Sequence, residues 1–100
     1  MPETTIFPIK GDFDALAVRR MRDELEQLAE QDSQQVELDL SGLEFIDSAG
    51  VGAVVLLYKR LLANGRDLRV RGLSGQPKQL FAKLRMDQTL PIDDNQNQDN

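Results

Sequence analysis

Cysteine and histidine are both missing from the 100 residues. Without cysteine there are no disulfides and no thiolate zinc site. Without histidine there is no His-dependent nucleophile triad. Long apolar runs are missing too. No stretch approaches the ~20 apolar residues that a membrane-spanning helix needs, and the N-terminal MPETTIFPIKGDFD lacks a signal-peptide core. Positive charge is scarce: 12 Lys and Arg stand against 17 Asp and Glu, a formal net charge of −5. Nucleic acid is therefore not an expected partner, because binding phosphates needs a concentrated basic face. The run Arg19, Arg20, Arg22 is followed by Glu24, Glu26 and Glu30 and reads as a solvated helix face. The expectation is a soluble cytoplasmic protein without direct membrane insertion, and the lack of cysteine suits a reducing compartment.

What is present fits one small domain, with 40% hydrophobic and 29% charged residues. A chain of this length buries roughly 60–70% of its unfolded surface, which leaves no room for both a core and a large cofactor cavity. Thr4 to Lys10 (TTIFPIK) reads as an edge strand, since Pro8 has no amide hydrogen to donate. Gly11 to Asp14 is turn chemistry, with Asp14 capping one helix from Ala15 to Glu30. Val18, Met21, Leu25 and Leu28 form its apolar stripe.

Val36 to Leu40 (VELDL) alternates strictly and gives a strand with one wet face. Ser41-Gly42 turns the chain, and Leu43, Phe45 and Ile46 anchor the connection in the core. A second helix runs from Ala49 to Ala63 and stops at Asn64-Gly65. Leu68 to Arg71 (LRVR) is another one-faced strand. Pro77 suits the first position of a third helix, whose buried stripe is Leu80, Phe81 and Leu84. Thr89 to Ile92 is a last extended segment, and residues 93–100 (DDNQNQDN) read as a disordered polar tail after a domain at 1–92.

Strands alternating with helices imply a mostly parallel sheet. Strands buried on both faces would be continuously apolar. These alternate, so the predicted fold class is α/β: a two-layer domain with about four strands and helices mainly on one face.

Few residues offer chemistry. Gly50-Val51-Gly52 starts a helix, but it lacks the third glycine of a dinucleotide fingerprint and the Lys-Ser/Thr of a P-loop. Small residues there let a helix start close to the sheet or to a partner. Asp12 with Asp14, and Asp93 with Asp94, sit in a turn and a tail, so they are assigned to capping and solvation. No catalytic residue, metal ligand or cofactor site is expected.

Ser48 has two compatible readings. As an N-cap it accepts a bond from an early helix amide. As a phosphoacceptor it places a phosphate at the positive end of a helix dipole, beside Asp47. The helix that follows has Val51, Val54, Leu57 or Tyr58, and Leu61 on one side, with Gly52, Val55, Leu56 and Lys59 towards the other. A helix apolar nearly all round implies either a broader core or an uncovered surface for a partner.

DLSGLEFIDSAGVG, Asp39 to Gly52, resembles the strand–loop–helix signature of the STAS family, the sulphate transporter and anti-sigma factor antagonist domains. The Gly11–Asp14 turn, Asn64-Gly65 before LRVR and the C-terminal LFAKLRMDQTLPI extend the likeness over Ile6 to Ile92. It is greatest for free-standing bacterial anti-sigma factor antagonists. Family members often begin with two strands, whereas this chain has room for one before Gly11. The resemblance implies a phosphorylation-switched binding module that sequesters an anti-sigma factor. That partner is typically a serine protein kinase, and a PP2C-type phosphatase reverses its action. It implies Ser48 as phosphoacceptor, with Asp47 before it supplying local polarity and loop hydrogen bonding. Together with the helix face, the expected partner surface is Asp47, Ser48, Ala49, Gly50, Gly52, Val55, Leu56 and Lys59. The alternative is a STAS subunit of a membrane lipid or anion transport complex with no phosphoswitch.

Overall fold

The computed structural model describes residues 3–93. Its elements are β1 (Thr4–Pro8), β2 (Gly11–Phe13), α1 (Ala15–Arg20), α2 (Arg22–Glu30), β3 (Gln35–Asp39), β4 (Leu43–Ile46), α3 (Ser48–Ala63), β5 (Asp67–Arg71), α4 (Gly75–Lys83) and β6 (Ile92–Asp93). Four strands form a parallel sheet in the order β1-β3-β5-β6, and β2 pairs with β4 in a separate parallel ribbon.

Alternation decides the layering. Val36 and Leu38 of β3 and Leu68 and Val70 of β5 are buried, while Asp67, Arg69 and Arg71 face solvent. On that wet face Arg71 pairs with Glu37 at 2.9 Å. The opposite face carries the helices: α3 lies against β5, with α1 and α2 beside α3. Val51, Val54, Leu57 and Leu61 of α3 point into one continuous core, and Tyr58 is half-buried. This is the expected two-layer α/β fold.

Several local expectations are corrected. Gly11–Phe13 is a strand as well as a turn, so the chain does begin with two strands. Gly11 adopts φ +72°, which glycine reaches without a Cβ penalty, and this turns the chain from β1 into β2. The β2–β4 register slips between Gly11 and Asp12, so that Gly11 faces Leu43 and Asp12 faces Phe45. The extra residue, Glu44, breaks the alternation of β4. Leu43 and Ile46 are therefore both buried, while Phe45 is 41% exposed rather than a core anchor.

The single helix expected over 15–30 is two helices. Met21 (φ −97°, ψ 8°) closes α1 and opens α2, and the break has no proline or glycine to announce it. Leu28 is buried, as are Ala17 and Ala29, while Val18, Met21 and Leu25 are half-buried. Pro77 is the third residue of α4, not the first. Leu84 lies past the end of α4 and is 41% exposed, and the buried residues of that helix are Pro77 and Phe81. The last strand is confined to Ile92–Asp93 and takes in the first residue of the stretch read as a tail. Residues 94–100 of that stretch, with Asp94, lie outside the described residues.

Candidate functional site at the start of helix α3

The site begins with how β4 is held. Among the described residues its outer edge has no strand neighbour, and the side chain of Gln76 takes that place. The Gln76 Nε2 donates to the Ile46 carbonyl at 2.8 Å, and the Ile46 amide donates to Gln76 Oε1 at 2.9 Å. This two-point clamp fixes the backbone one residue before Asp47. Nothing in the local sequence marks Gln76 for it. At the other end of the motif, the Ser41 hydroxyl and amide both donate to Asp39 Oδ1, at 2.7 and 3.0 Å. Those bonds hold the Asp39 carboxyl below its ordinary pKa.

The cap of α3 is Asp47, not Ser48. Asp47 Oδ1 accepts from the Gly50 amide at 3.0 Å. Its second oxygen, Oδ2, accepts from the Ala15 amide at 3.2 Å, at the start of α1. One carboxylate therefore ties two helix N-termini together. Asp14 caps α1 separately, accepting from the Ala17 amide at 3.0 Å.

Ser48 is the first residue of α3. It is exposed, and its hydroxyl has no hydrogen-bond partner among the described residues. The fold has assigned the capping task elsewhere and left this nucleophile free. Both Asp and Ser are good caps, so spacing alone could not separate them.

The two glycines divide in role. Gly50 is buried, and a Cβ there would strike the Phe13 carbonyl oxygen and come within 2.6 Å of the Ile46 side chain. It lets α3 start hard against β2 and β4 and offers no outer surface. A Cβ on Gly52 would meet nothing within 4 Å. The outer face of α3 carries Ser48, Gly52, Leu56 and Lys59, all exposed, with Ala49 and Val55 half-buried. Leu56 is 58% exposed, so the uncovered-surface reading of this helix holds there.

A groove of about 340 Å3 runs between α1–α2 and α3. Val18, Leu25 and Leu57 line it, and Ala49, Gly52, Ala53 and Leu56 continue the lining along α3. Arg19, Arg22, Arg60 and Glu26 supply its charged groups. In the sequence Arg19 and Arg22 belong to a solvated helix face, and the packing of α1 and α2 beside α3 brings them to the groove.

The family model described as "Mlab, STAS domain" matches residues 2–92. The chain belongs to the STAS domain family. Among solved structures it is similar to an anti-sigma factor antagonist from Mycobacterium paratuberculosis, with a TM-score of 0.81 at 17% identity, covering 89% of this chain and 75% of that one. It is also similar to the Bacillus cell fate determinant SpoIIAA in its phosphorylated form, with a TM-score of 0.68 at 21% identity over 93% and 85% of the two chains. A sulfate transporter family protein from Wolinella succinogenes gives a TM-score of 0.74 at 18% identity over 89% and 75%. At these identities the likeness establishes the shared STAS fold. Among the described residues no helix is long and apolar enough to cross a membrane.

Proposed function

We propose that this STAS domain is an anti-sigma factor antagonist, a cytoplasmic protein-binding module without catalytic activity of its own. Unphosphorylated, it sequesters an anti-sigma factor that is also a serine kinase. Transfer of the γ-phosphoryl group of ATP to the Ser48 hydroxyl, with loss of its proton and release of ADP, frees that partner. A PP2C-type phosphatase hydrolyses the ester and resets the module.

One observation carries this reading: Asp47 caps α3 and leaves the Ser48 hydroxyl exposed and, among the described residues, unpartnered. Phosphorylation there breaks no bond of the fold. The added phosphate brings about −1.5 to −2 charges, which a helix N-terminus tolerates and a surface fitted to a neutral serine does not. Each tenfold loss of affinity is about 1.4 kcal/mol, and burying a dianion beside Asp47 against an unprepared partner supplies several such steps. The likeness to anti-sigma factor antagonists supports the same reading, since SpoIIAA is described both as an anti-sigma factor antagonist and in a phosphorylated form.

The test compares two variants. Ser48→Ala is expected to hold the partner constitutively and Ser48→Asp to release it. Equal capture of the partner by both overturns the switch.

The second reading is a STAS subunit of a lipid or anion transport complex. It is favoured by the likeness to the Wolinella sulfate transporter family protein. Co-purification with an ATP-binding cassette subunit, and an intact mass free of phosphate in its native cells, would select it.

A further inference from the structure

Gly52 sits inside α3 without a reason in the fold. Glycine is the poorest helix former after proline, and where a Cβ would meet nothing the fold itself favours alanine. Gly50 has its reason in Phe13 and Ile46, whereas Gly52 opens into the groove. Its missing side chain makes room for something that approaches from outside.

The charges say what approaches. Arg19, Arg22 and Arg60 line the groove, and none has an ion-pair or hydrogen-bond partner among the described residues. Among the described residues Glu26 is the single acidic group that lines it, so the groove is locally cationic on a chain of net charge −5. From Ala49 to Arg60 the α3 wall runs about 16 Å, or three helical turns. The floor is apolar, with small residues at the Ser48 end and Leu56 further along. A trough between α1–α2 and α3, with an apolar floor and basic side chains, matches a further helix with an apolar stripe and carboxylates on its flanks.

We propose that this groove receives an acidic amphipathic helix of the protein partner. Gly52 admits its backbone, and Arg19, Arg22 and Arg60 pair with its carboxylates. The proposal rests on the partner-binding reading above and names the chemistry of the partner segment.

The experiment places p-benzoylphenylalanine at Glu26, on the groove's edge, in the full chain carrying Ser48→Ala. The chain is expressed in its native cells, irradiated, and the cross-linked peptide is sequenced. The expected product is a partner segment with apolar residues three and four apart and an excess of Asp and Glu. Its yield is expected to fall at least tenfold when Gly52→Leu is added, with the melting temperature of that variant not lowered. The same fall is expected when Arg19, Arg22 and Arg60 are changed together to Glu. Cross-links to a lipid, to a second copy of this chain or to a neutral or basic segment overturn the proposal. So does no cross-link, or a yield indifferent to Gly52→Leu or to the three arginines. The two readings fail separately. Equal cross-linking in Ser48→Ala and Ser48→Asp backgrounds removes the switch and leaves the groove. Partner capture governed by Ser48, with cross-links mapping to another kind of segment, removes the groove and leaves the switch.

Discussion

Replacing Gly50 and Gly52 by alanine, one at a time, puts the same methyl group on the same helix two residues apart. Helix propensity treats the two alike: a helical glycine is about 0.8–1 kcal/mol less favourable than alanine, and the unfolded chain loses freedom in both cases. At Gly52 nothing opposes that gain, because the new Cβ has no neighbour within 4 Å. A position in the second turn realises part of it, so the expected stabilisation is about 0.5–1 kcal/mol. For a domain of this size that raises the melting temperature by roughly 3–6 °C.

At Gly50 the same gain meets a wall. The Cβ would overlap the Phe13 carbonyl oxygen, stand 2.6 Å from Ile46 Cγ1 and lie 3.0 Å from Phe13 Cδ2. Ile46 can change rotamer at a modest cost, but a backbone oxygen in the β2–β4 ribbon cannot step aside alone. The helix start must move, and moving it strains the Asp47 cap on the Gly50 amide itself. Overpacking of this kind costs about 1–3 kcal/mol, and the weakened cap adds about 1 more. The net expectation is a loss of about 1–3 kcal/mol, or a melting temperature lower by roughly 5–15 °C. Circular dichroism melts, checked by urea titrations with unchanged m-values, read both variants. If the two changes shift stability in the same direction, the division between a structural and an outward glycine is wrong.

Two further substitutions test the supports of the site. Asp47→Ala removes the acceptor for both the Gly50 and the Ala15 amides and is expected to cost about 1–2 kcal/mol in urea titrations. Asp47→Asn keeps one of the two oxygens and should recover part of that, so an Asn variant as unstable as Ala would argue against the double bond. Arg66 is buried and donates to the carbonyls of Ala29 and Ser33, each at 2.6 Å, and of Leu28 at 3.2 Å, closing the end of α2. Arg66→Met should lower stability by about 2–4 kcal/mol. Arg66→Lys should restore less than half of it, because one ammonium cannot reproduce the fork, and full rescue by Lys in thermal melts would contradict this.

The parts of the fold legible in the sequence were those set by local pattern. VELDL and LRVR show their buried faces by alternation, and Asn64-Gly65 marks its helix end by the residue types alone. The end is closed by bonds from the Gly65 amide to Leu62 and from the Arg66 amide to Leu61, at 3.0 and 2.8 Å. What escaped the sequence depends on distant neighbours. Gly11–Phe13 looks like a turn until β4 pairs with it, and the bulge at Glu44 exists only in that pairing. Asp47 caps α3 through one oxygen, while its second oxygen is engaged at Ala15, 32 positions away in sequence. Gln76 and Arg66 are ordinary surface types that tertiary contacts turn into a clamp and a cap.

Asp47 also bears on how the two proposals meet. By tying the starts of α1 and α3 together it sets the mouth of the groove, where Ala49, the residue after Ser48, and Arg19 line the same cleft. A phosphate on Ser48 therefore adds its charge at the Ala49 end of the groove that an acidic helix would use, about 16 Å along α3 from Arg60. It breaks nothing in the folded chain, so its effect must be on the partner: repelling the carboxylates and competing for the arginines. Release by this route is largely electrostatic. Exposed charges are screened over about 8–10 Å at physiological salt and over about 3 Å at 1 M. A purely steric switch would keep its ratio of unphosphorylated to phosphorylated affinity as salt rises. A switch built on Arg19, Arg22 and Arg60 loses part of that ratio, because salt weakens both the attraction it removes and the repulsion it adds.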